Sequence, residues 1–293
     1  MYERLGDMKQ KDRSRIKAFV ERRLPALHSW LILPWLTYRH RRAMLRLETV
    51  TAMVFERFGP VVQDGPFKGL QYLHEATNSG LTPKILGCYE SEIQHLVWQR
   101  ATAGYEVIVD VGCAEGYYAA GFALASSCST VYAYDIDPKC RELCSRLAEL
   151  NGVSSRVHVG AECDHAQLNA LRAASVFLLC DCEGFELHLL DPAAVPAMAG
   201  WDILVELHDS MVPGVTEAIV GRFHATHEIE LIESVRRDPD DFPISRFLPS
   251  YRDRFLAVSD RRGSWQQWAW MRVRRRSDNR QPSTDHPPPA IRR

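Results

Sequence analysis

The chain has 293 residues, a net charge of −1 from 36 Lys and Arg against 37 Asp and Glu, and 46% hydrophobic residues, enough for one full α/β core with extensions. Its eight cysteines are scattered without paired metal-site spacing, which excludes a zinc-ribbon module and reads as reduced, mostly buried thiols. Lys and Arg crowd the first fifty and last twenty residues, so the middle is acidic, and no interleaved aromatic platform accompanies the basic ends to suggest nucleic-acid binding.

Residues 1–64 read as a basic N-terminal extension of amphipathic helices, with Arg15, Lys17, Arg22 and Arg23 facing water and Ile16, Phe19 and Val20 free to pack. The apolar run at 30–36 falls far short of the ~20 residues that span a bilayer, and Pro34 breaks it. It starts too late to be a cleaved secretory signal. With Arg39, Arg41 and Arg42 nearby it suits either peripheral contact with an anionic membrane or packing on the core, the second being the stronger expectation. Prolines and glycines between Gly65 and Gly87 predict loops and a short hairpin, and 89–97 begins a helix.

Residues 107–116, Val-Ile-Val-Asp-Val-Gly-Cys-Ala-Glu-Gly, join a buried-strand pattern to a glycine turn. Val107, Ile108, Val109 and Val111 suit a parallel strand covered on both faces. Gly112 and Gly116 are read as allowing a tight turn and close approach to a ligand, before a helix over 117–126. The loop departs from the dinucleotide fingerprint: Ala114 replaces the second glycine, Glu115 follows, and the third glycine falls one place early at Gly116. A carboxylate there would repel a pyrophosphate, so the loop favours S-adenosylmethionine. A second strand, 131–135, ends in Asp135, roughly 20 residues past the loop, where such folds hold ribose hydroxyls. Asp137 and Pro138 then start a helix as N-cap and first-turn residue.

Further strands are expected at 156–160, 176–180 and 203–207, separated by helices, which implies right-handed crossovers and a parallel sheet. Alternating patterns at 227–234 and 268–274 predict a sixth strand and an antiparallel seventh. The tail at 276–293 has nothing to bury and is expected to be disordered.

Ligands collect at the carboxyl ends of strands in open α/β sheets, and the sequence there is acidic: Asp181, Glu183 and Glu186 after the fourth strand, Glu206, His208 and Asp209 at the end of the fifth. Asp181 and Glu183 are candidates to face cofactor or substrate, and His208 is a candidate base. Glu186 reads only as a helix-start acid, and His188 as a packing residue.

Four blocks together resemble a family: Asp-Val-Gly-Cys-Ala-Glu-Gly at 110–116, Tyr-Asp-Ile-Asp-Pro at 134–138, Cys-Asp-Cys-Glu-Gly-Phe-Glu at 180–186 and Asp-Ile-Leu-Val-Glu-Leu-His-Asp at 202–209. They are similar to class I S-adenosylmethionine-dependent methyltransferases of the FkbM type, across about residues 85 to 275. The resemblance implies a Rossmann-like α/β fold over 65–275, with a seven-stranded, mostly parallel sheet, an antiparallel last strand and helices on both faces. It implies S-adenosylmethionine as methyl donor and an acceptor hydroxyl on a small molecule, sugar or glycan. By analogy, Asp110, Gly112 and Glu115 lie around the cofactor's methionine portion and Asp135 on its ribose, with Glu90, Cys113, Ala114, Gly116, Ile136, Glu162 and Asp181 completing the contacts. His208, Asp181 and Glu183 are the expected catalytic residues, and no metal is assigned. Tyr89, Tyr117, Tyr118, Phe185 and His74 are candidates for an acceptor pocket.

Two alternatives stay open. Asp181, Glu206 and Asp209 could hold a divalent cation in the manner of catechol-type methyltransferases, or the chain could bind the cofactor without turnover and act as a membrane or protein adaptor. Nothing selects an organelle, which leaves the cytoplasm as the default expectation.

Overall fold

The computed structural model describes residues 33–77, 79–260 and 266–274; the helices expected before residue 33 and the tail at 276–293 lie outside them. A long helix, α1 (Leu33–Phe58), and two short ones, α2 (Leu81–Leu86) and α3 (Gln94–Ala101), precede the first strand. Then β1 (Val107–Val111), α4 (Tyr117–Ala125), β2 (Thr130–Tyr134), α5 (Pro138–Leu150), β3 (Val157–Gly160), α6 (His165–Ala170), β4 (Val176–Cys180), α7 (Glu186–Leu189) and β5 (Asp202–Leu207) alternate. The chain continues with α8 (Val215–Phe223), β6 (His227–Glu233), α9 (Tyr251–Val258) and β7 (Gln267–Val273).

The seven strands form one sheet in the order β3-β2-β1-β4-β5-β7-β6. The pairs β1 with β2, β1 with β4, β2 with β3 and β4 with β5 are parallel, and β7 lies antiparallel to both β5 and β6. The expected α/β fold is therefore the observed one. β1 and β4 are buried at every position, as their unbroken apolar runs require. Successive side chains leave a strand on opposite faces, so Val107, Val109 and Val111 enter one core with α6, α7 and α8, while Ile108 enters the other with α1, α2, α3, α4, α5 and α9. The crest of the sheet carries the loops after β1, β2, β4 and β5. Asp137 caps α5 as expected, accepting from Lys139 N at 2.8 Å.

Local differences have physical causes. The extension expected to end at residue 64 is packed well before that point: Val50 and Val54 of α1 are fully buried, and Arg46 pairs with the buried Asp253 of α9. A helix was expected from 89, but α3 starts at Gln94, whose side-chain amide bonds the carbonyls of Gly87 and Tyr89 and so holds the chain in a turn. The hairpin between Gly65 and Gly87 amounts to one antiparallel bridge, Val61 to Gln71, followed by α2. No helix among the described residues is long and apolar enough to cross a membrane.

Candidate functional site at the crest of the sheet

The turn after β1 is fixed from two sides. The amides of Gly112 and Cys113 both donate to the Tyr134 carbonyl, at 2.9 and 3.0 Å, and the amide of Asp181 donates to Val111 O at 2.8 Å. Gly112 has φ +84°, and a Cβ there would sit 1.7 Å from the Asp181 carbonyl oxygen. Gly116, at φ +94°, would place a Cβ 2.8 Å from Cys144 Sγ. The two glycines thus make room for the protein's own chain, which corrects the expectation that the missing side chains admit a ligand. Three non-glycine residues among those described adopt the left-handed conformation: Glu90, Ala114 and Glu183, at φ 47°, 48° and 54°. Ala114 follows β1 and Glu183 follows β4 at the crest, while Glu90 is buried, and conformations of this kind collect at ligand sites because the surrounding structure must hold them.

Asp135 joins two turns: Oδ2 accepts from Ala114 N at 2.9 Å and Oδ1 from Asp137 N at 2.8 Å. A carboxylate has about four lone-pair positions, so each oxygen keeps one for a hydroxyl. Ile136 beside it is 82% exposed, a large apolar surface at the edge of the loop. Glu162 is exposed beyond β3. Asp110 is sealed beneath the turn, and neither carboxylate oxygen makes a hydrogen bond of ordinary geometry. Burial, with the charges of Asp181 and Asp135, pushes its pKa up to about 8, the amide of Ala119 offsetting only part of this. Cys113 is a buried thiol whose hydrogen bond with Cys144 and burial keep it protonated. Glu90 is buried and hydrogen-bonded to Tyr118 Oη.

Glu115 has a different task from the one expected. Its carboxylate is fully buried, paired with the equally buried Lys84 and hydrogen-bonded by Tyr72 Oη at 2.6 Å and by the Thr77 amide and hydroxyl at 3.1 and 2.9 Å. Burial alone would raise its pKa, but Lys84 and these donors hold it below the ordinary value. The charge is spent inside the protein, so the repulsion of a pyrophosphate argued from sequence does not arise, and Glu115 braces the loop from behind.

The residues after β4 and β5 converge on His208, whose side chain is 1% exposed. Its Nδ1 lies 2.8 Å from Glu186 Oε1, and Glu186 also accepts from the Cys182 amide at 3.1 Å. Around Nε2 stand Glu183 Oε2 at 3.4 Å, Asp181 Oδ1 at 3.6 Å and Glu206 Oε2 at 3.9 Å, yet Nε2 itself makes no hydrogen bond. Burial lowers the imidazole pKa, but Glu186, Asp181 and Glu183 outweigh it and leave it above the ordinary value. Burial and the charge of Glu90 raise Asp181 to about 6. The expected trio of His208, Asp181 and Glu183 is therefore together. Glu186 is more than a helix-start acid: it points inward, is fully buried, and orients the histidine. Asp209 turns away, accepting from Gly214 N and Thr216 N at the start of α8.

The acceptor-pocket residues do not act as a set. Tyr117 is buried in an aromatic cluster with Phe67, Tyr72 and Tyr89, and His74 stacks on Phe55 at 4.7 Å. Phe185 is 43% exposed and lies 4.7 Å from His188. Two surface concavities of about 760 and 410 Å³ run along α1 and include none of the residues around His208.

No family model matches the chain, and no curated protein matches it. Among solved structures, it is similar to an O-methyltransferase from Bacillus cereus in complex with SAH, at 14% identity over 61% of this chain and 79% of that one, with a TM-score of 0.42. It is also similar to a SAM-dependent O-methyltransferase from Thermotoga maritima, at 13% identity, 64% and 67% coverage and TM-score 0.40. A methyltransferase from Geobacter sulfurreducens is matched at 15% identity, 61% and 76% coverage and TM-score 0.38. Likeness at this level adds nothing to the fold already read from the strand order.

Proposed function

We propose that the chain is an S-adenosylmethionine-dependent methyltransferase of the FkbM type, acting on a hydroxyl of a small molecule, sugar or glycan in the cytoplasm. The observation that carries this reading is Asp135, whose carboxylate locks the glycine loop to the next helix and keeps lone pairs for a ribose diol, beside the exposed face of Ile136. Behind the loop, the orphaned carboxyl of Asp110 fits a ligand that brings a positive charge, as an amino-acid ammonium or a sulfonium does. Cys113, Ala114 and Gly116 form the loop itself, and Glu90 and Glu162 are assigned with it to the cofactor.

Bound S-adenosylmethionine would supply a methyl group on a positively charged sulfur. The protein's contribution is mainly alignment, worth roughly 7 to 11 kcal/mol when two reactants are held in line. Asp181, Glu183 and His208 form the polar wall that receives the acceptor hydroxyl and the proton it loses, a contribution of about 10²- to 10⁴-fold. The basic residues before α1 carry no assigned role in this reading, packing on the core remaining the stronger expectation over contact with an anionic membrane, and no nucleic-acid partner is invoked.

Calorimetric titration with S-adenosylmethionine, S-adenosylhomocysteine and NAD tests the reading. Saturable binding of the first two, lost in Asp135→Ala, is expected. Binding of NAD alone would overturn it.

A further inference from the structure

We infer that Asp181, Glu206 and His208 form a binding site for one divalent cation, with Glu186 as the residue that orients the histidine. The ligand atoms of these three side chains all lie within 4.8 Å of one another. What separates them from an ordinary acidic cluster is His208 Nε2. Its side chain is 1% exposed, the nitrogen has no hydrogen-bond partner, and Glu183 Oε2 at 3.4 Å, Asp181 Oδ1 at 3.6 Å and Glu206 Oε2 at 3.9 Å stand around it. Two ligands each about 2.1 Å from a tetrahedral metal stand ~3.4 Å apart, so the two separations between His208 Nε2 and the carboxylates need shorten by only a few tenths of an ångström. A buried imidazole nitrogen without a partner is costly, and a cation satisfies it together with the facing carboxylates.

The opposite side of the ring carries the arrangement typical of metal-bound histidines. Nδ1 is committed to a buried carboxylate, Glu186, at 2.8 Å, which fixes the ring orientation and leaves Nε2 as the lone-pair donor. Charge points the same way. Among the described residues, His208 is the one positively chargeable group within ion-pair distance of Asp181, Glu183 and Glu186, so one imidazole faces several acids. One nitrogen and two carboxylate oxygens suit a first-row divalent ion such as Mn²⁺ or Zn²⁺ better than Mg²⁺ or Ca²⁺, which favour all-oxygen sites. Glu183 is 61% exposed and stands at the open side, where a water or an acceptor hydroxyl would complete the coordination.

The use of the ion rests on the methyl-transfer reading above; its binding does not. With His208 Nε2 on the cation, Glu183 would be left to take the acceptor's hydroxyl proton, its carboxylate gaining the O–H bond that the acceptor loses, and bound S-adenosylmethionine would supply the methyl group.

The full chain is stripped with chelator and titrated calorimetrically with MnCl₂ and ZnCl₂, without cofactor. One ion per chain is expected. Glu206→Gln and His208→Gln should weaken binding by about 100-fold or more, Glu186→Gln by about 10- to 100-fold, and Asp209→Asn should leave it unchanged. Circular dichroism of each variant confirms the fold, and Glu186→Gln removes no ligand and so reads the site if a ligand variant fails to fold. Absence of binding in the parent chain, or binding indifferent to Glu206→Gln and Glu186→Gln, would overturn the site. S-adenosylhomocysteine is titrated separately in chelator. Its binding without metal binding rejects the cation site alone, whereas metal binding without it supports the site and rejects the methyltransferase reading.

Discussion

Glu186 Oε1 lies 2.8 Å from His208 Nδ1, with both side chains sealed from solvent. The pair is the hinge of the site, because it leaves Nε2 facing the other acids. Removing one member of a buried charged pair costs about 3–5 kcal/mol, since the remaining group stays desolvated without its partner. Glu186→Ala is therefore expected to lower the unfolding free energy by about that much in urea denaturation. Glu186→Gln keeps the volume and one acceptor, and should fold while losing turnover. Unchanged stability of Glu186→Ala would mean that His208 does not depend on it.

The Gly112 contact with Asp181 gives a comparison inside one protein. At Gly112 a methyl group would meet a carbonyl oxygen 1.7 Å away, and that carbonyl belongs to the chain leaving β4. Gly214 also has a positive φ, +89°, but nothing lies within 4 Å of its missing Cβ. Gly214→Ala should cost about 1 kcal/mol from backbone strain alone, whereas Gly112→Ala has to push β1 and β4 apart and should cost several times more. Thermal unfolding of the two variants measures the difference. Equal costs would show that the crest relaxes freely.

Asp110 yields a proton-linkage prediction. With a pKa of about 8 it is mostly protonated at pH 7. A positively charged ligand group placed beside it favours the carboxylate and lowers that pKa, so binding should release a proton. Titration of S-adenosylhomocysteine at pH 7 in buffers of different ionisation enthalpy should show release of about one proton per complex, vanishing near pH 9 where Asp110 is already ionised. Asp110→Asn should abolish the release. Binding in the parent chain at pH 7 with no proton released would separate Asp110 from the ligand.

The fold was legible because its signals are local: the apolar run of β1, the glycines that end it, the acid closing β2 and the Asp-Pro start of α5 each follow from adjacent residues. Asp181, Glu183 and His208 could be named from sequence because sheet topology assigns strand ends to the ligand edge whatever their side chains do. Side-chain direction was harder. Glu115 and Glu186 looked like a loop acid and a helix-start acid, and only tertiary packing shows that the first turns back to Lys84 and the second inward to His208. The signal for Glu115 was Lys84, 31 residues earlier in a segment that reads as loops and folds as α2, and spacing could not pair them. Gly112 was read correctly as a tight turn but assigned the wrong neighbour, since the space it leaves belongs to a strand some 70 residues later.

His227 gives the pH dependence of stability. It is fully buried at the start of β6, with Nε2 2.8 Å from the Trp201 carbonyl and Nδ1 2.8 Å from Thr226 Oγ1. The neutral ring satisfies both contacts, with Nε2–H donating to the carbonyl and the Thr226 hydroxyl donating to Nδ1. Burial holds its pKa below the ordinary 6.5, the carbonyl contact offsetting only part of the shift. Between the folded pKa and 6.5 the unfolded chain therefore binds more protons than the folded one. The contribution of His227 is fully present above 6.5 and is lost as pH falls toward the folded value, with a slope of at most about 1.4 kcal/mol per pH unit for one proton. Urea midpoints measured from pH 7.5 down to 5.5 should fall for the parent chain. His227→Gln, whatever its overall cost, should lie on a flatter line, because it has no proton to gain. Parallel lines for the two proteins would place the acid sensitivity elsewhere.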